Sequence, residues 1–224
     1  GNTLVFDDLT LNLHEPRIGL IGDNGAGKSS LFRLACGLEA PYTGSVSVQG
    51  LPAYRINAQR PNLVGMMFQN PDDQIVFPTV QEELALCLTA TGLPRREAIA
   101  QARAFLATRG LPDWAERAIS SLSQGQRQHV CWLAILLTQP ALILLDEPFA
   151  SLDLPSQALL HRDLARVGQQ VIVSTHVLEH LQDFDRVIWL GQGRVRADGH
   201  PGTGCADYRA DVAARIAART AKVT

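Results

Sequence analysis

The chain has 224 residues, 46% hydrophobic and 19% charged, the balance of a soluble globular protein long enough to bury a full core, and one α/β domain is the simplest count. A net charge of −2 supplies no basic field for nucleic acid, and the four cysteines (Cys36, Cys87, Cys131 and Cys205) are scattered without a CxxC pair, which fits a reducing compartment and argues against a metal cluster or disulfide framework. The longest uninterrupted apolar run, residues 130–137, is far too short to span a bilayer, and no segment reads as a signal peptide; the first residue is Gly1 rather than methionine, which reads as a processed or cut N-terminus.

In chain order, residues 3–13 alternate in part and read as a strand-pair element at a sheet edge. Residues 17–21 read as a short buried strand. Residues 30–38 read as a helix, with Leu31, Leu34, Ala35 and Leu38 at helical spacing. The stretch 45–49 (SVSVQ) alternates after the turn Tyr42-Thr43-Gly44, and 63–68 reads as a buried strand. From 80 to 118 the pattern turns helical, with Pro94 and Pro112 marking helix starts after Gly92 and Gly110. A helix is expected over 124–137. Apolar runs at 142–145 and 171–173, with a helix over 155–167 between them, follow the grammar of a parallel sheet. Residues 187–190 and 194–197, joined by Gly191-Gln192-Gly193, read as a hairpin, and 208–222 as a closing helix. There is no internal repeat and no long linker.

Lys28 is one of two lysines beside 18 arginines. A lysine at this place suggests a task for a point charge rather than for arginine's planar fork. It lies in Gly22-Asp23-Asn24-Gly25-Ala26-Gly27-Lys28-Ser29, which fits G-x-x-x-x-G-K-[ST], at a strand-to-helix junction. Glycines let successive N–H groups turn inward on an anion, and the helix N-terminus adds unpaired donors. The candidate nucleotide contacts are Asn24, Gly25, Ala26, Gly27, Lys28, Ser29 and Ser30. Lys28 would reach the β- and γ-phosphates, and Ser29 would give its hydroxyl to Mg²⁺.

The apolar run Ala141-Leu142-Ile143-Leu144-Leu145 ends in Asp146-Glu147. A buried strand that stops at two acids puts both at the sheet's carboxyl edge, where open α/β folds bind ligands. Asp146 suits Mg²⁺, through a water, and Glu147 suits a general base that polarises an attacking water. The segment Leu122-Ser123-Gln124-Gly125-Gln126 opens a helix, and a serine there is by itself an ordinary N-cap. About twenty residues before the Asp-Glu pair, however, this LSxGQ form resembles the signature of the ATP-binding cassette (ABC) ATPases.

The resemblance extends along essentially the whole chain. Gln69 after a strand resembles the family's Q-loop glutamine, Ser151-Leu152-Asp153 its D-loop, and Ser174-Thr175-His176 its switch histidine. It implies an α/β fold of the ABC-type P-loop ATPase: a mixed, largely parallel sheet core with helices (about 1–69 and 140–200), an inserted α-helical subdomain (about 70–139) and a short helical tail (201–224). It implies ATP and Mg²⁺ as cofactors, with Ser29, Gln69 and Asp146 at the metal. It implies Glu147, His176 and Gln69 as catalytic residues. Two such domains pack head to tail in the family. Ser123, Gln124, Gly125 and Gln126 would therefore complete a second subunit's site, with Asp153 working across the interface, in a homodimer or a pair with a close paralogue. The family usually carries an upstream aromatic that stacks on adenine. Phe6 lies only sixteen residues before Gly22, so that residue is expected to precede the chain.

The stretch Phe68-Gln69-Asn70-Pro71-Asp72-Asp73-Gln74-Ile75-Val76-Phe77-Pro78-Thr79-Val80 resembles the energy-coupling ATPases of vitamin and metal-ion importers. Asp72, Asp73 and Gln74 would then receive arginines of a transmembrane coupling subunit, itself joined to a substrate-binding membrane subunit. The protein would sit peripherally on the cytoplasmic face of the cell membrane. The short C-terminal region and the Leu4-Val5-Phe6-Asp7-Asp8-Leu9 start resemble the biotin ATPase more than the cobalt or nickel ones. A soluble repair or translation ABC protein would carry long coiled-coil insertions or two cassettes. A GTPase would carry an NKxD guanine reader, and none is present.

Overall fold

The computed structural model describes residues 4–220. Its strands are β1 (Arg17–Ile21), β2 (Ser47–Val48), β3 (Leu51–Pro52), β4 (Val64–Met67), β5 (Leu142–Asp146), β6 (Gln170–Ser174), β7 (Arg186–Gly191) and β8 (Arg194–Gly199). Its helices are α1 (Lys28–Ala35), α2 (Ile56–Gln59), α3 (Val80–Thr89), α4 (Arg95–Thr108), α5 (Gln124–Thr138), α6 (Leu154–Arg166) and α7 (Pro201–Thr220). Six strands form one sheet in the order β4-β5-β6-β1-β7-β8, with β2 and β3 in a small hairpin apart. Neighbours in the large sheet are parallel except β7 and β8.

The sheet is mostly parallel because its central strands are apolar on both faces. All five residues of β5 are buried. Strand periodicity of two sends Ile143 and Leu145 into one buried cluster and Leu142 and Leu144 into the other. In β6, Val171 and Val173 join the first cluster and Ile172 the second. A third cluster, built on Val80, Leu84, Ala98, Ala102 and Leu106, belongs to α3, α4 and α5. Helix α5 serves two of these cores: Cys131, Trp132 and Ile135 face the first, and Val130, Leu133 and Ala134 face the third. Its unbroken apolar run is thus the signature of a helix buried on two sides.

Four expectations need correction. Residues 4–14 form no strand; residue 3 lies outside the described part. This segment lays Phe6, Leu9, Leu11 and Leu13 on the second core, and side chains hold it instead of a ladder. Gln170 Nε2 donates to the Leu13 and Glu15 carbonyls (3.0 and 3.1 Å), and Arg186 Nη1 to that of Asn12 (2.8 Å). Of the SVSVQ stretch only Ser47–Val48 pairs, since the chain turns back at once through Gln49-Gly50 onto Leu51–Pro52. Pro112 opens only the 3₁₀ turn Pro112–Trp114. The closing helix begins at Pro201 rather than at 208, and Lys222 falls outside the described residues. Pro201 is pre-set for a first helical turn, and His200 Nδ1 accepts from the Gly202 N–H at 3.2 Å, so Gly202 and Gly204 continue a helix where composition reads as loop.

Candidate nucleotide site

Adjacent parallel strands end on one edge, and the candidate residues follow from those ends. The glycine-rich loop leaves β1 at Ile21, Gln69 follows β4, Asp146 closes β5, and His176 follows β6. Asp146 sits opposite Ser174 in the register, the Glu147 N–H donates to the Ser174 carbonyl (2.9 Å), and the Thr175 N–H to that of Leu20 (3.2 Å). The three strand ends are thereby fastened to one another.

The loop is a glycine structure by steric necessity. Gly22 has φ +146°, and a Cβ there would stand 2.2 Å from the Leu190 carbonyl oxygen. At Gly27 (φ +102°) a Cβ would stand 2.6 Å from the Phe6 ring, so that ring lies against the loop. Asn24, Gly25 and Ser29 are exposed, Ser30 is half-buried, and Ala26, Gly27 and Lys28 are buried. Lys28 Nζ donates to the carbonyls of Gly22 (2.7 Å) and Asp23 (3.2 Å). Burial lowers its pKa, against the pull of Glu147, Asp146 and Asp23.

Asp146 and Glu147 are both buried. Glu147 adopts φ +48°, an uncommon conformation for a glutamate. Its Oε2 lies 2.8 Å from His176 Nδ1 and accepts from the His176 backbone N–H at 3.3 Å. The imidazole is largely exposed and its Nε2 is not engaged by Glu147. Gln69 is exposed.

The remaining sequence candidates stand elsewhere. Ser123 caps α5 in a capping box: its Oγ accepts from the Gln126 N–H (3.2 Å), and Gln126 Oε1 accepts from the Ser123 N–H (3.0 Å). Gln124 Nε2 donates to Ser151 Oγ (3.0 Å), and Gly125 lies against Leu152. Asp153 caps α6, accepting from the Ser156 N–H at 3.0 Å. Ser123, Gln124, Gly125, Gln126 and Asp153 line a separate cleft of about 620 Å³, which the phosphate-loop residues do not share. Of the acidic turn, Asp72 pairs with Arg127 Nε (3.0 Å), Gln74 Oε1 accepts from the Phe68 N–H (3.2 Å), and Asp73 is exposed.

Sequence reasoning missed three contacts around the site. Asp23 is held by Tyr208 and Arg215 of α7. Gln128, buried in α5, donates to the Pro148 carbonyl at 2.6 Å, tying α5 to the residue after Glu147. His161 Nε2 and His180 Nδ1 lie 2.7 Å apart, both rings stacked on Phe149. The helical spacing of Tyr208, Asp211 and Arg215 was the one available signal, since it sets a polar stripe on one face of α7.

A mostly parallel sheet whose first strand runs through a glycine loop into a helix, with a buried Asp-Glu at the end of a central strand, defines a phosphate-loop nucleotide-hydrolysing fold. The family model described as "ABC transporter" matches residues 6–150. The biotin transport ATP-binding protein BioM of Rhodobacter capsulatus is 49% identical over 199 residues, covering 89% of this chain and 85% of the relative. The energy-coupling factor transporter ATP-binding protein EcfA1 of Ligilactobacillus salivarius is 35% identical over 209 residues, covering 89% and 73%. Among solved structures, cbiO1 of Clostridium perfringens, described as part of the ABC transporter complex cbiONQ, superposes with a TM-score of 0.73 at 26% identity, over 91% of this chain and 85% of that one. The chain belongs to the ABC transporter family, and it is an ATP-binding, ATP-hydrolysing cassette of that family.

Proposed function

We propose that the chain is the ATPase subunit of an energy-coupling importer, that its cargo is biotin, and that it works as a head-to-tail pair with itself or a close paralogue. The observation that carries the catalytic reading is Glu147: a buried carboxylate in a left-handed backbone, 2.8 Å from His176, beside Lys28 and Asp146. The cargo rests on the 49% identity to the biotin transport relative; cobalt or nickel is the alternative. Substrate choice lies with a membrane subunit. Among the described residues no helix is long and apolar enough to cross a membrane, which accords with peripheral attachment at the cytoplasmic face through a coupling subunit that engages Asp72, Asp73 and Gln74. The third hydrophobic cluster, within α3 to α5, supports reading 70–139 as an inserted helical unit.

In this reading Lys28 exchanges its two neutral carbonyl acceptors for the β- and γ-phosphates, so that its ammonium meets full negative charge instead of carbonyl dipoles. The N–H groups from Asn24 to Ser30 close around the phosphates. Ser29, exposed at the first turn of α1, Asp146, buried at the end of β5, and Gln69 are the hard oxygen donors that suit Mg²⁺, Asp146 through a water. Bound there, Mg²⁺ would neutralise phosphate charge. Glu147 takes the proton of the attacking water, and His176, its Nδ1 fixed by Glu147, points Nε2 to the γ-phosphate. Ser123 and Gly125 of the second subunit, with its Asp153 across the interface, complete the site. The separation of this stretch from the phosphate loop within one chain supports the need for a partner.

Glu147→Gln keeps the shape and removes the base. It should hold an ATP-bound dimer on a sizing column while hydrolysis falls about a hundredfold or more; unchanged hydrolysis with no dimer would sink the catalytic reading. Co-purification from native membranes, followed by uptake of biotin, cobalt and nickel, tests the cargo.

A further inference from the structure

Asp23 is the second residue of the phosphate loop, and its side chain is gripped from outside the loop. Tyr208 Oη donates to its Oδ1 at 2.9 Å. Arg215 donates to both carboxylate oxygens, Nη1 to Oδ2 at 2.6 Å and Nη2 to Oδ1 at 3.1 Å. These partners lie 185 and 192 residues away in sequence. The carbonyl of the same Asp23 accepts from the Ala26 N–H (3.1 Å) and from Lys28 Nζ (3.2 Å). One residue therefore joins α7 to the turn of the loop and to its lysine.

Helix α7 is itself fastened to the sheet. Cys205 is buried in the first core, and Gly204 packs against Val187. The Tyr208 ring meets the edge of Trp189 in β7 at 5.3 Å, and Arg209 pairs with Glu179. Asp211, one turn before Arg215, holds that guanidinium at 2.7 Å. Because β7 pairs directly with β1, the strand that feeds the loop, α7 and the loop share one base. A bidentate arginine fork on a carboxylate fixes direction as well as distance.

We infer that α7 braces the phosphate loop, with Tyr208 and Arg215 acting through Asp23 as positioning residues for ATP. The brace holds the loop in the shape that presents its N–H groups, so less ordering is left to accompany nucleotide binding. It contributes to binding rather than to the chemical step. This rests on reading residues 22–29 as the ATP loop.

The test is equilibrium titration of the purified full chain with ATP and Mg²⁺, paired with hydrolysis by the assembled complex. Asp23 and Arg215 are each about half exposed, so the expected loss is modest. Arg215→Gln and Asp23→Asn should each weaken ATP binding about threefold, and Tyr208→Phe about twofold. The double variant Asp23→Asn/Arg215→Gln should be no worse than either single one. Arg215→Lys should recover part of the loss. In the complex, KM should rise while kcat at saturating ATP stays unchanged. The gap between Arg215→Gln and the unaltered chain should close between about 0.1 and 1 M salt, because the pair is screened. Wild-type affinity in Arg215→Gln, additive losses in the double variant, or affinity falling only in step with melting temperature would each overturn the brace. Failure of the unaltered chain to bind ATP would overturn the loop reading and the brace with it.

Discussion

The lysine of the phosphate loop is the clearest case of a residue whose surroundings select its type. Lys28 is buried, and its ammonium reaches two backbone carbonyls on one side of a tight turn. A guanidinium is wider and planar, and it cannot enter that concavity as a point charge. Lys28→Arg should therefore weaken ATP binding about tenfold or more, ~1.4 kcal/mol, while the melting temperature changes little; equal affinity in a titration would contradict this account. The glycine loop and the strand-end acids were legible as candidates in the sequence because each is a contiguous motif, and the fold sets both on one sheet edge. The Asp23 grip and the stacked His161–His180 pair were not legible, since their partners meet only through the fold.

Among the elements, α5 shows most directly how sequence pattern becomes energetics. Trp132 is 2% exposed, and its Nε1 donates to Asp163 Oδ2 at 3.0 Å, bolting α5 to α6. Trp132→Ala should lower unfolding stability by about 3–5 kcal/mol, measured as a shifted denaturant midpoint; a loss under 1 kcal/mol would mean the site collapses around the gap. Strands and helices marked by an uninterrupted apolar run, β5, β6 and α5 among them, were readable from pattern alone. Residues 4–14 were not, because alternation records which side chains are buried, and burial against a core does not require a paired neighbour. The start of α7 was hidden for the opposite reason: Gly202 and Gly204 look like loop, yet the helix runs through both.

The whole molecule carries a pH dependence set by three histidines. Burial lowers the pKa of His129, His161 and His180 below the usual 6.5, with His161 pushing His180 further down. All three are neutral in the fold, whereas the unfolded chain takes up their protons near 6.5, so stability is complete above that pH and is lost as pH falls toward the depressed values. The carboxylates of Glu15, Asp23 and Glu179 are shifted down as well, and their stabilisation is lost only at still lower pH, below the ordinary carboxylate range. The melting temperature should therefore begin to drop between pH 7 and 5.5, and the double variant His161→Phe/His180→Leu should flatten that slope; an equally steep slope in the variant would exclude the pair. The order of strands and helices was largely legible as a pattern, the start of the closing helix excepted. What the pattern could not convey is how the parts share walls. Because α5 is embedded in two cores at once, Ser123 cannot shift as a loose loop shifts: moving it means swinging a wall that both cores lean on. Such a swing is a collective displacement, on the order of microseconds to milliseconds. It reports its arrival to every helix of the third core together.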